Sequence, residues 1–330
     1  MYRCIKPDAK ELYDSDPQKH IELCGRICYK SEDRITEESN KKFISDMHGR
    51  NHWAMLEHFR FIAIVPPHIH GFIKSIGSPY IVTTVDEITH DNGERDLRHM
   101  VSASARALMD AVTEVEEWRD NGLDGMKQSV LVALMAFIKH IVYHYGCAEL
   151  FGGQYSPCQQ YNISIVERDE LRNGKFTQYE IFHHEWHTVL FTVDRGITHE
   201  FVRHRPCSFA QESTRYCNYS LGKFDSSIGV VRPFEFKDGT EGYVLWEKCM
   251  HYLNEMYQQM AHAGIKPQWA RSILPQSTKA DLVITTNNKE WQHIVNLRYL
   301  ATTGAPHPQI VEVMSILVDE NQWAKEMAGK

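Results

Sequence analysis

The chain has 330 residues, of which 42% are hydrophobic and 24% are charged, and its formal net charge is −7. These values are ordinary for a globular protein with a substantial core, and they exclude the disordered, collagen-like and coiled-coil classes. The acidic balance also argues against non-specific duplex binding, which requires a positive surface. No uninterrupted apolar run reaches roughly 18 residues, and the first residues lack the apolar region of a secretory signal. We therefore expect a soluble, cytoplasmic protein with no nucleic-acid or membrane partner.

Eight cysteines and nineteen histidines are the features of the composition that could indicate a metal site. The cysteines form no C-x-x-C pair, and the closest spacing, Cys24 to Cys28, has no second pair to complete a zinc site. His140 and His144 are one helical turn apart but lack the adjacent glutamate of the H-E-x-x-H pattern. We predict reduced, structural thiols, hydrogen-bonded or exposed histidines, and no metal.

In the first half of the chain, apolar spacing predicts helices around one strand. Short helices are expected in the first fifty residues, and the apolar run over 59–65, closed by two prolines, predicts a strand. Steps of three and four then predict two amphipathic helices, at 97–115 and 130–145, which form a helical hairpin. The sequence Asn121-Gly122 breaks the pattern between these two helices.

The second half of the chain continues with one strand and three helices. The strand is predicted at 188–193, and a strongly apolar helix at about 243–262 is followed by Gly264 as its terminating residue. Two further helices are expected at about 288–301 and 307–326. The sequence therefore predicts a helix-dominated α+β fold with few strands.

The segment 198–216 concentrates the groups that bind anions. Between Arg195 and Arg215 the chain has four arginines and two glutamates, although it is acidic overall. Guanidinium groups bind phosphate oxygens through two hydrogen bonds at once, and nearby serine, threonine and glutamine side chains add donors. The segment predicts a phosphate or nucleotide site, and the alternative is a solvated basic loop. Rossmann and P-loop glycine motifs are absent from the sequence.

A second polar region lies between Arg271 and Arg298. Asn288 is a candidate N-cap of the helix that follows it, and positions 291, 294, 295 and 298 lie near one face of that helix. His293 is five residues before Arg298, so the two side chains leave the helix roughly 140° apart. They could serve different ligands or different parts of one ligand, and the alternative is a surface helix with a basic edge.

Arg203-His204-Arg205, separated by seven residues from Ser213, resembles the R-H-R-x7-S signature of flavin-dependent thymidylate synthases. Residues 25–31 are similar to the early arginine segment of that family, and residues 52–58 to its H-x-x-x-x-E-H motif. Residues 271–298 resemble its C-terminal nucleotide site. The resemblance implies a single domain over 1–330 that is interrupted by a helical insertion at about 66–187, which we call the insertion.

The resemblance also implies an α+β fold with a small, mostly antiparallel sheet, and a homotetramer with active sites at its subunit interfaces. The implied methyltransferase converts dUMP to dTMP, with methylenetetrahydrofolate as the carbon donor and NADPH as the reductant of FAD. The implied FAD contacts are Ala54, Glu57, Arg203, His204, Arg205, Gln211, Asn287, Lys289 and His293. The implied dUMP contacts are Glu200, Arg203, Gln211, Ser213, Thr214, Arg215, Arg271 and Arg298.

Arg298 is the candidate catalytic residue. A uracil ring accepts a hydride or a nucleophile at C6 only if negative charge on its O4–C4–N3 side is stabilised, and a permanently charged guanidinium can do this. Ser213 has no obvious base beside it, so a binding role is expected for it. Lys289 stands where many relatives have arginine, and Ala54 where a hydroxyl is frequent. The alternative function is that of a flavoprotein of the same fold that acts on another pyrimidine or is inactive.

Overall fold

The computed structural model describes residues 2–89, 92–118, 124–153, 155 and 161–330. The predicted break at Asn121-Gly122 lies outside the described residues. The strands are β1 (Arg3–Ile5), β2 (Asp8–Leu12), β3 (Arg60–Ile64), β4 (Val82–Thr89), β5 (Arg95–Ser104), β6 (Ser164–Val166), β7 (Trp186–Asp194), β8 (Ser208–Gln211), β9 (Gly229–Val231) and β10 (Lys279–Asn287). The helices are α1 (Pro17–Tyr29), α2 (Ser39–Gly49), α3 (Pro67–Lys74), α4 (Ala105–Glu116), α5 (Asp124–Tyr145), α6 (Gln178–His184), α7 (Arg195–Phe201), α8 (Glu241–His262), α9 (Pro267–Ala270), α10 (Asn288–Arg298), α11 (Pro308–Glu320) and α12 (Gln322–Met327).

The central sheet is antiparallel, with the strand order β2-β7-β10-β8. β7 and β10 pair along nine residues, from Trp186 opposite Asn287 to Asp194 opposite Lys279. Both strands are rich in β-branched residues, which favour extended backbone, and most of their side chains are buried. This sheet positions the signature segment, because β8 ends at Gln211 and β10 leads directly into α10.

A second antiparallel sheet has the strand order β4-β5-β3-β6 and joins the insertion to the rest of the chain. β3, which lies before the insertion, pairs on one side with β5 and on the other side with β6. The insertion therefore contains strands as well as helices, and the expectation that it is helical is wrong for β4, β5 and β6. Its backbone hydrogen bonds make it part of the body of the protein.

The predicted helix at 97–115 is correct only in its second part. Residues 95–104 form β5, and the helix begins where the Ser104 hydroxyl accepts a hydrogen bond from the backbone N–H of Ala107, at 3.2 Å. Leu97 is exposed, whereas five consecutive residues from Met100 to Ser104 are buried, which is possible for a strand covered on both faces. The apolar residues at 97–105, spaced three and four apart, therefore indicated a helix where the chain forms a strand up to Ser104.

α5 confirms the second helix predicted in this region, and α4 packs against it. Its residues Gly125–Tyr145 are long and apolar enough to cross a membrane by length and composition, but half of the most apolar window is buried in the protein. Leu134, Phe137 and Ile141 belong to the largest hydrophobic core, together with residues of α1, α2 and β3. This position is typical of a core helix.

The remaining elements confirm the predicted α+β class. The predicted strand at 188–193 is β7, the helix at about 243–262 is α8, and Gly264 follows α8 in the left-handed region with φ +81°. α10 forms as predicted, but the last expected helix divides into α11 and α12 at Asn321. Outside the insertion, the strands β1, β2, β8, β9 and β10 were not predicted.

Candidate functional site

The R-H-R triplet lies in the tight connection between α7 and β8. Asp194 is the N-cap of α7, and its carboxylate accepts a hydrogen bond from the backbone N–H of Ile197 at 2.8 Å. The helix ends at the fully buried Phe201, and the chain turns immediately. Arg203 and Arg205 are therefore exposed, while His204 between them is directed into the protein and is buried.

Arg298, the last residue of α10, connects the triplet to α7. Its Nη1 donates to the Glu200 carboxylate at 2.8 Å, and its Nη2 donates to the Glu200 carbonyl at 3.2 Å. Its Nε donates to Nε2 of His204 at 3.1 Å. Three residues predicted to form the site are thus in direct contact, although 94 positions separate His204 from Arg298.

His204 is held in its neutral form by this arrangement. Burial lowers the pKa of His204 to about 4, and the positive charge of Arg298 and the proximity of His293 and Arg205 add to the effect. Because Nε2 accepts the hydrogen bond from Arg298, the ring proton lies on Nδ1. The ring is therefore an acceptor that orients the guanidinium without competing for Glu200.

His293 and Arg298 approach the same residue, although they leave α10 in different directions. The rings of His204 and His293 are 5.7 Å apart in an edge-to-face arrangement, and Arg298 contacts His204 from the end of the helix. The long side chain of Arg298 explains this convergence. Both side chains therefore lie against His204, an arrangement in which they could contact different parts of one ligand.

The second half of the signature lies on β8 and in the residues that follow it. The Gln211 side chain donates to the Thr198 hydroxyl at 2.8 Å, which fixes it against α7. Ser213 accepts a long hydrogen bond from the backbone N–H of Arg215 at 3.4 Å, and Thr214 is buried. Arg215 is exposed, with its guanidinium 5.6 Å from the ring of Tyr216. No base contacts the Ser213 hydroxyl among the described residues, which agrees with a binding role.

A buried group of four charged residues supports the signature, and sequence reasoning missed it. Glu212 accepts from Lys279 Nζ at 2.9 Å and from the Tyr219 hydroxyl at 2.9 Å. Asp281 is bonded to Lys279 at 2.5 Å and also to Lys30. Burial alone would raise the pKa of Asp281, but the two lysines hold it below its ordinary value. Lys30 lies in the segment 25–31 and Glu212 within the signature, and both segments resemble those of the family. This position in the sequence is the only indication that could have pointed to the group.

Ala54 and Glu57 lie on a 3₁₀ turn, Trp53–Glu57. Ala54 lines an open cavity of about 570 Å³ together with Tyr29 and Arg106. The Glu57 carboxylate accepts from Arg106 Nη1 at 2.8 Å, and burial raises the pKa of Glu57 in spite of that guanidinium and of a hydrogen bond from Ser208. Arg106 belongs to the insertion, and no motif pointed to it.

Asn287 is the N-cap of α10, so the choice of Asn288 from the sequence was wrong by one residue. The Asn287 side chain accepts from the backbone N–H of Glu290 at 3.1 Å and donates to the His183 carbonyl at 3.0 Å. Asn288 is instead the first helical residue. The shift arises because β10 extends to Asn287 and the helix begins without a connecting loop.

Lys289 and Arg271 carry exposed charges at the edge of the site. Neither side chain makes a hydrogen bond or an ion pair within the described part of the chain. Arg271 opens a 3₁₀ turn that follows α9, and Lys289 is in the first turn of α10. The structure does not bring either residue into contact with the Arg298 cluster.

Three histidines with hydrogen-bond partners within the protein are His140, His144 and the buried His184. His184 is buried between the hydroxyls of Thr84, at 2.7 Å, and Ser102, at 2.9 Å. His140 bonds the Ala136 carbonyl, and His144 bonds Glu167. In the part of the chain that the structure describes, no three His, Cys, Asp or Glu side chains are grouped as ligands of a metal ion.

Comparisons with known proteins find similarity, over part of the chain, to the family that the signature resembles. Residues 168–320 match the family model described as thymidylate synthase complementing protein. A flavin-dependent thymidylate synthase of Thermococcus onnurineus (strain NA1) is 34% identical over 116 residues, which are 34% of this chain and 46% of that protein. Its counterpart in Pyrococcus abyssi (strain GE5 / Orsay) is 33% identical over 114 residues, 34% of this chain and 46% of that protein. The matched region thus spans about half the length of these relatives.

A search of solved structures found a UMP/dUMP methylase, PolB from Streptomyces cacaoi, bound with 5-Br dUMP. It is 21% identical, with a TM-score of 0.36, over 59% of this chain and 89% of that chain. The family match and the two relatives confirm the predicted resemblance to flavin-dependent thymidylate synthases.

Proposed function

From the family resemblance of residues 168–320, we propose that the protein is an FAD-dependent methyltransferase that converts dUMP to dTMP. Methylenetetrahydrofolate provides the carbon and NADPH provides the electrons. The protein acts in the cytoplasm as a homotetramer, and residues 1–330 form one domain interrupted by the insertion. The observation that carries the proposal is the fixed position of Arg298, bonded to Glu200 and His204 beside the signature turn.

The residues around the signature suit an anionic pyrimidine nucleotide. Arg215 and Arg271 have exposed guanidinium groups for the phosphate, and the Ser213 hydroxyl adds a polar contact. The side chain of Arg298 is only about one-fifth exposed, at 19%, so its charge is poorly screened by solvent. A uracil ring placed against this guanidinium gains electrostatic stabilisation when negative charge develops on its O4–C4–N3 side.

The residues expected to hold FAD fit a flavin dinucleotide. Arg203, Arg205 and Lys289 are exposed cations, and a diphosphate needs such donors. The open cavity at Ala54 has space for a ring system. When bound, the flavin supplies the redox chemistry, and the protein supplies orientation and charge. The Glu57 carboxylate and the Asn287 amide are held by neighbours, so their positions are set before any ligand binds.

The positions of Arg271 and Lys289, away from the Arg298 cluster, support a site completed by more than one subunit. Arg271 and Lys289 are exposed and make no hydrogen bond to the Arg298 cluster among the described residues. A cation that is exposed and unpaired in one subunit can be a contact for a ligand bound mainly to another. Sites of this kind lose activity when the oligomer dissociates, so the tetramer and the activity should be lost together.

The visible spectrum of the purified protein with FAD tests the proposal first. We expect a flavin absorbance band that NADPH bleaches, and formation of dTMP when dUMP and methylenetetrahydrofolate are added. A protein that binds FAD and oxidises NADPH but leaves dUMP unchanged would point to the alternative, a flavoprotein acting on another pyrimidine. A protein that neither binds FAD nor oxidises NADPH would refute the catalytic proposal.

A further inference from the structure

A second cavity, of about 490 Å³, lies beside the Ala54 cavity between the end of α1 and the end of α2. Tyr29 and His52 line both cavities, and the Tyr29 hydroxyl and His52 Nδ1 are 3.2 Å apart. The two spaces therefore adjoin across this pair of side chains. None of the residues implied by the family resemblance to contact FAD or dUMP lines the second cavity.

The second cavity is strongly cationic in a chain whose net charge is −7. Arg26, Arg34, Arg50 and Lys223 line it, and Asp46 is the one acidic residue in its lining. Four positive charges and one negative charge leave a net charge of +3 on the described walls, or +2 when the Glu22 carboxylate that pairs with Arg26 is counted. Like charges that share a concave surface repel one another, and a bound anion relieves that repulsion.

Two of these cations are free to bind a ligand. Arg26 is already paired with the Glu22 carboxylate at 2.9 Å, and Lys223 donates to the Lys30 carbonyl at 3.1 Å. The side chains of Arg34 and Arg50 make no hydrogen bond or ion pair within the described residues. Each of them presents a complete guanidinium fork, which matches the geometry of a carboxylate or a phosphate.

Aromatic side chains line the same cavity as the free arginines. The rings of Tyr29 and Tyr216 are 6.3 Å apart in an edge-to-face arrangement, and both line the cavity. Tyr216 directly follows Arg215, so the cavity begins where the proposed dUMP segment ends. A ligand that suits these walls has an aromatic ring at the tyrosines and at least two negative charges farther along the molecule.

We propose that this cavity binds the multiply charged tail of a co-substrate whose ring lies toward the Ala54 cavity. The inference rests on the proposed function, which requires two such molecules. One is a folate, whose glutamate tail carries carboxylates, and the other is NADPH, which carries phosphates. Arg34 and Arg50 determine the affinity for the tail in either case.

Binding of inorganic tripolyphosphate, measured by calorimetry, tests the anion site without any turnover. The test variant is the double substitution Arg34→Gln with Arg50→Gln. The control is Lys41→Gln with Lys42→Gln, which removes the same charge from exposed positions of α2 outside the cavity. We expect roughly tenfold weaker binding in the test variant and no change in the control. Failure of the wild-type protein to bind tripolyphosphate, or equal losses in both variants, would overturn the proposal.

Matched ligand pairs then identify the natural tail. With FAD and dUMP bound, the affinity for a tetrahydrofolate triglutamate is compared with that for the monoglutamate, and the affinity for NADPH with that for NADH. Loss of the triglutamate advantage in the test variant assigns the cavity to folate, and loss of the NADPH advantage assigns it to the dinucleotide. If both advantages survive, the co-substrate assignment is wrong even when dTMP is formed. A protein that makes no dTMP and binds no FAD contradicts the proposed function, while the tripolyphosphate result still decides the anion site.

Discussion

Arg106 donates from Nη1 to the Glu57 carboxylate across 2.8 Å, so a residue of the insertion holds a residue of the proposed flavin site. Arg106 lies in the first turn of α4, directly after β5, and it also lines the Ala54 cavity. Since β5 pairs with β3 on the other side of the insertion boundary, this position is fixed by the sheet. The insertion thus contacts the proposed flavin site through a defined hydrogen bond.

Replacing Arg106 should weaken FAD binding. In Arg106→Gln, Glu57 loses its charged partner, and we expect a roughly threefold loss of FAD affinity, because the pair is partly exposed and therefore modest in strength. Titration followed by flavin fluorescence measures the effect. Arg95→Gln serves as the control, because it breaks an exposed ion pair between Arg95 on β5 and Glu87 on β4, in the same sheet. Equal affinity of the Arg106→Gln variant and the control would show that the contact is unrelated to the cofactor.

Replacing Arg298 should abolish dTMP formation while FAD stays bound. Arg298→Ala removes the guanidinium fixed by Glu200 and His204, and the loss of a preorganised electrostatic group lowers kcat by roughly 100- to 1000-fold. Arg298→Lys keeps the charge but loses the fork that reaches both partners, so an intermediate rate is expected. Unchanged turnover in Arg298→Ala, with the flavin spectrum intact, would remove Arg298 from the mechanism.

The buried charged group around Asp281 should be essential for stability. Asp281→Asn leaves Lys279 and Lys30 without one of their carboxylates in a region where side chains are less than one-fifth exposed. Removing one partner of a buried pair costs about 3 kcal/mol of the free energy of unfolding. Urea denaturation measures the loss. Asp225→Asn, at an exposed pair with Arg3, should change stability by less than about 1 kcal/mol, and similar losses in both variants would contradict the argument.

The spacing of apolar residues along the sequence predicted some helices and strands correctly and missed others. β7 was identified from its continuous apolar run at 188–193, and α5 and α8 from apolar residues spaced three and four apart. β10 was missed because its last residues, at 285–287, are polar, and no period in the sequence indicates that they are buried. β5 was interpreted as a helix because a strand buried on both faces has no alternation.

In the candidate site, too, the sequence predicts contacts between residues that are close in the chain and misses contacts between residues that are far apart. The signature placed His204 and Glu200 near one another, since four positions separate them in the chain. The contacts of Arg106 with Glu57 and of Lys30 with Asp281 join residues 49 and 251 positions apart. The pairing of β3 with β5 creates the first contact, and the packing of α1 against β10 creates the second, so only the folded structure could reveal them.

The buried histidines should make the protein sensitive to mild acid. Burial lowers the pKa of His184 to about 3, and its positively charged neighbours, among them Arg60, add to the effect. The pKa values of His20 and His58 are also lowered to about 3, mainly by burial. In the unfolded chain a histidine takes up its proton near pH 6.5. The unfolded state therefore binds more protons between about pH 6.5 and 3, and the free energy of unfolding must fall as the pH falls through that window.

His184 allows this effect to be measured for one residue. Each proton taken up only on unfolding contributes about 1.4 kcal/mol per pH unit to the slope of stability against pH. His184→Gln keeps a polar group between Thr84 and Ser102 but cannot be protonated. Urea denaturation at pH 7.5, 6.5 and 5.5 should therefore give a shallower slope for the variant than for the wild-type protein, whatever its absolute stability. Parallel slopes would mean that His184 is already protonated in the folded protein, or that its ring is reached by solvent before the chain unfolds.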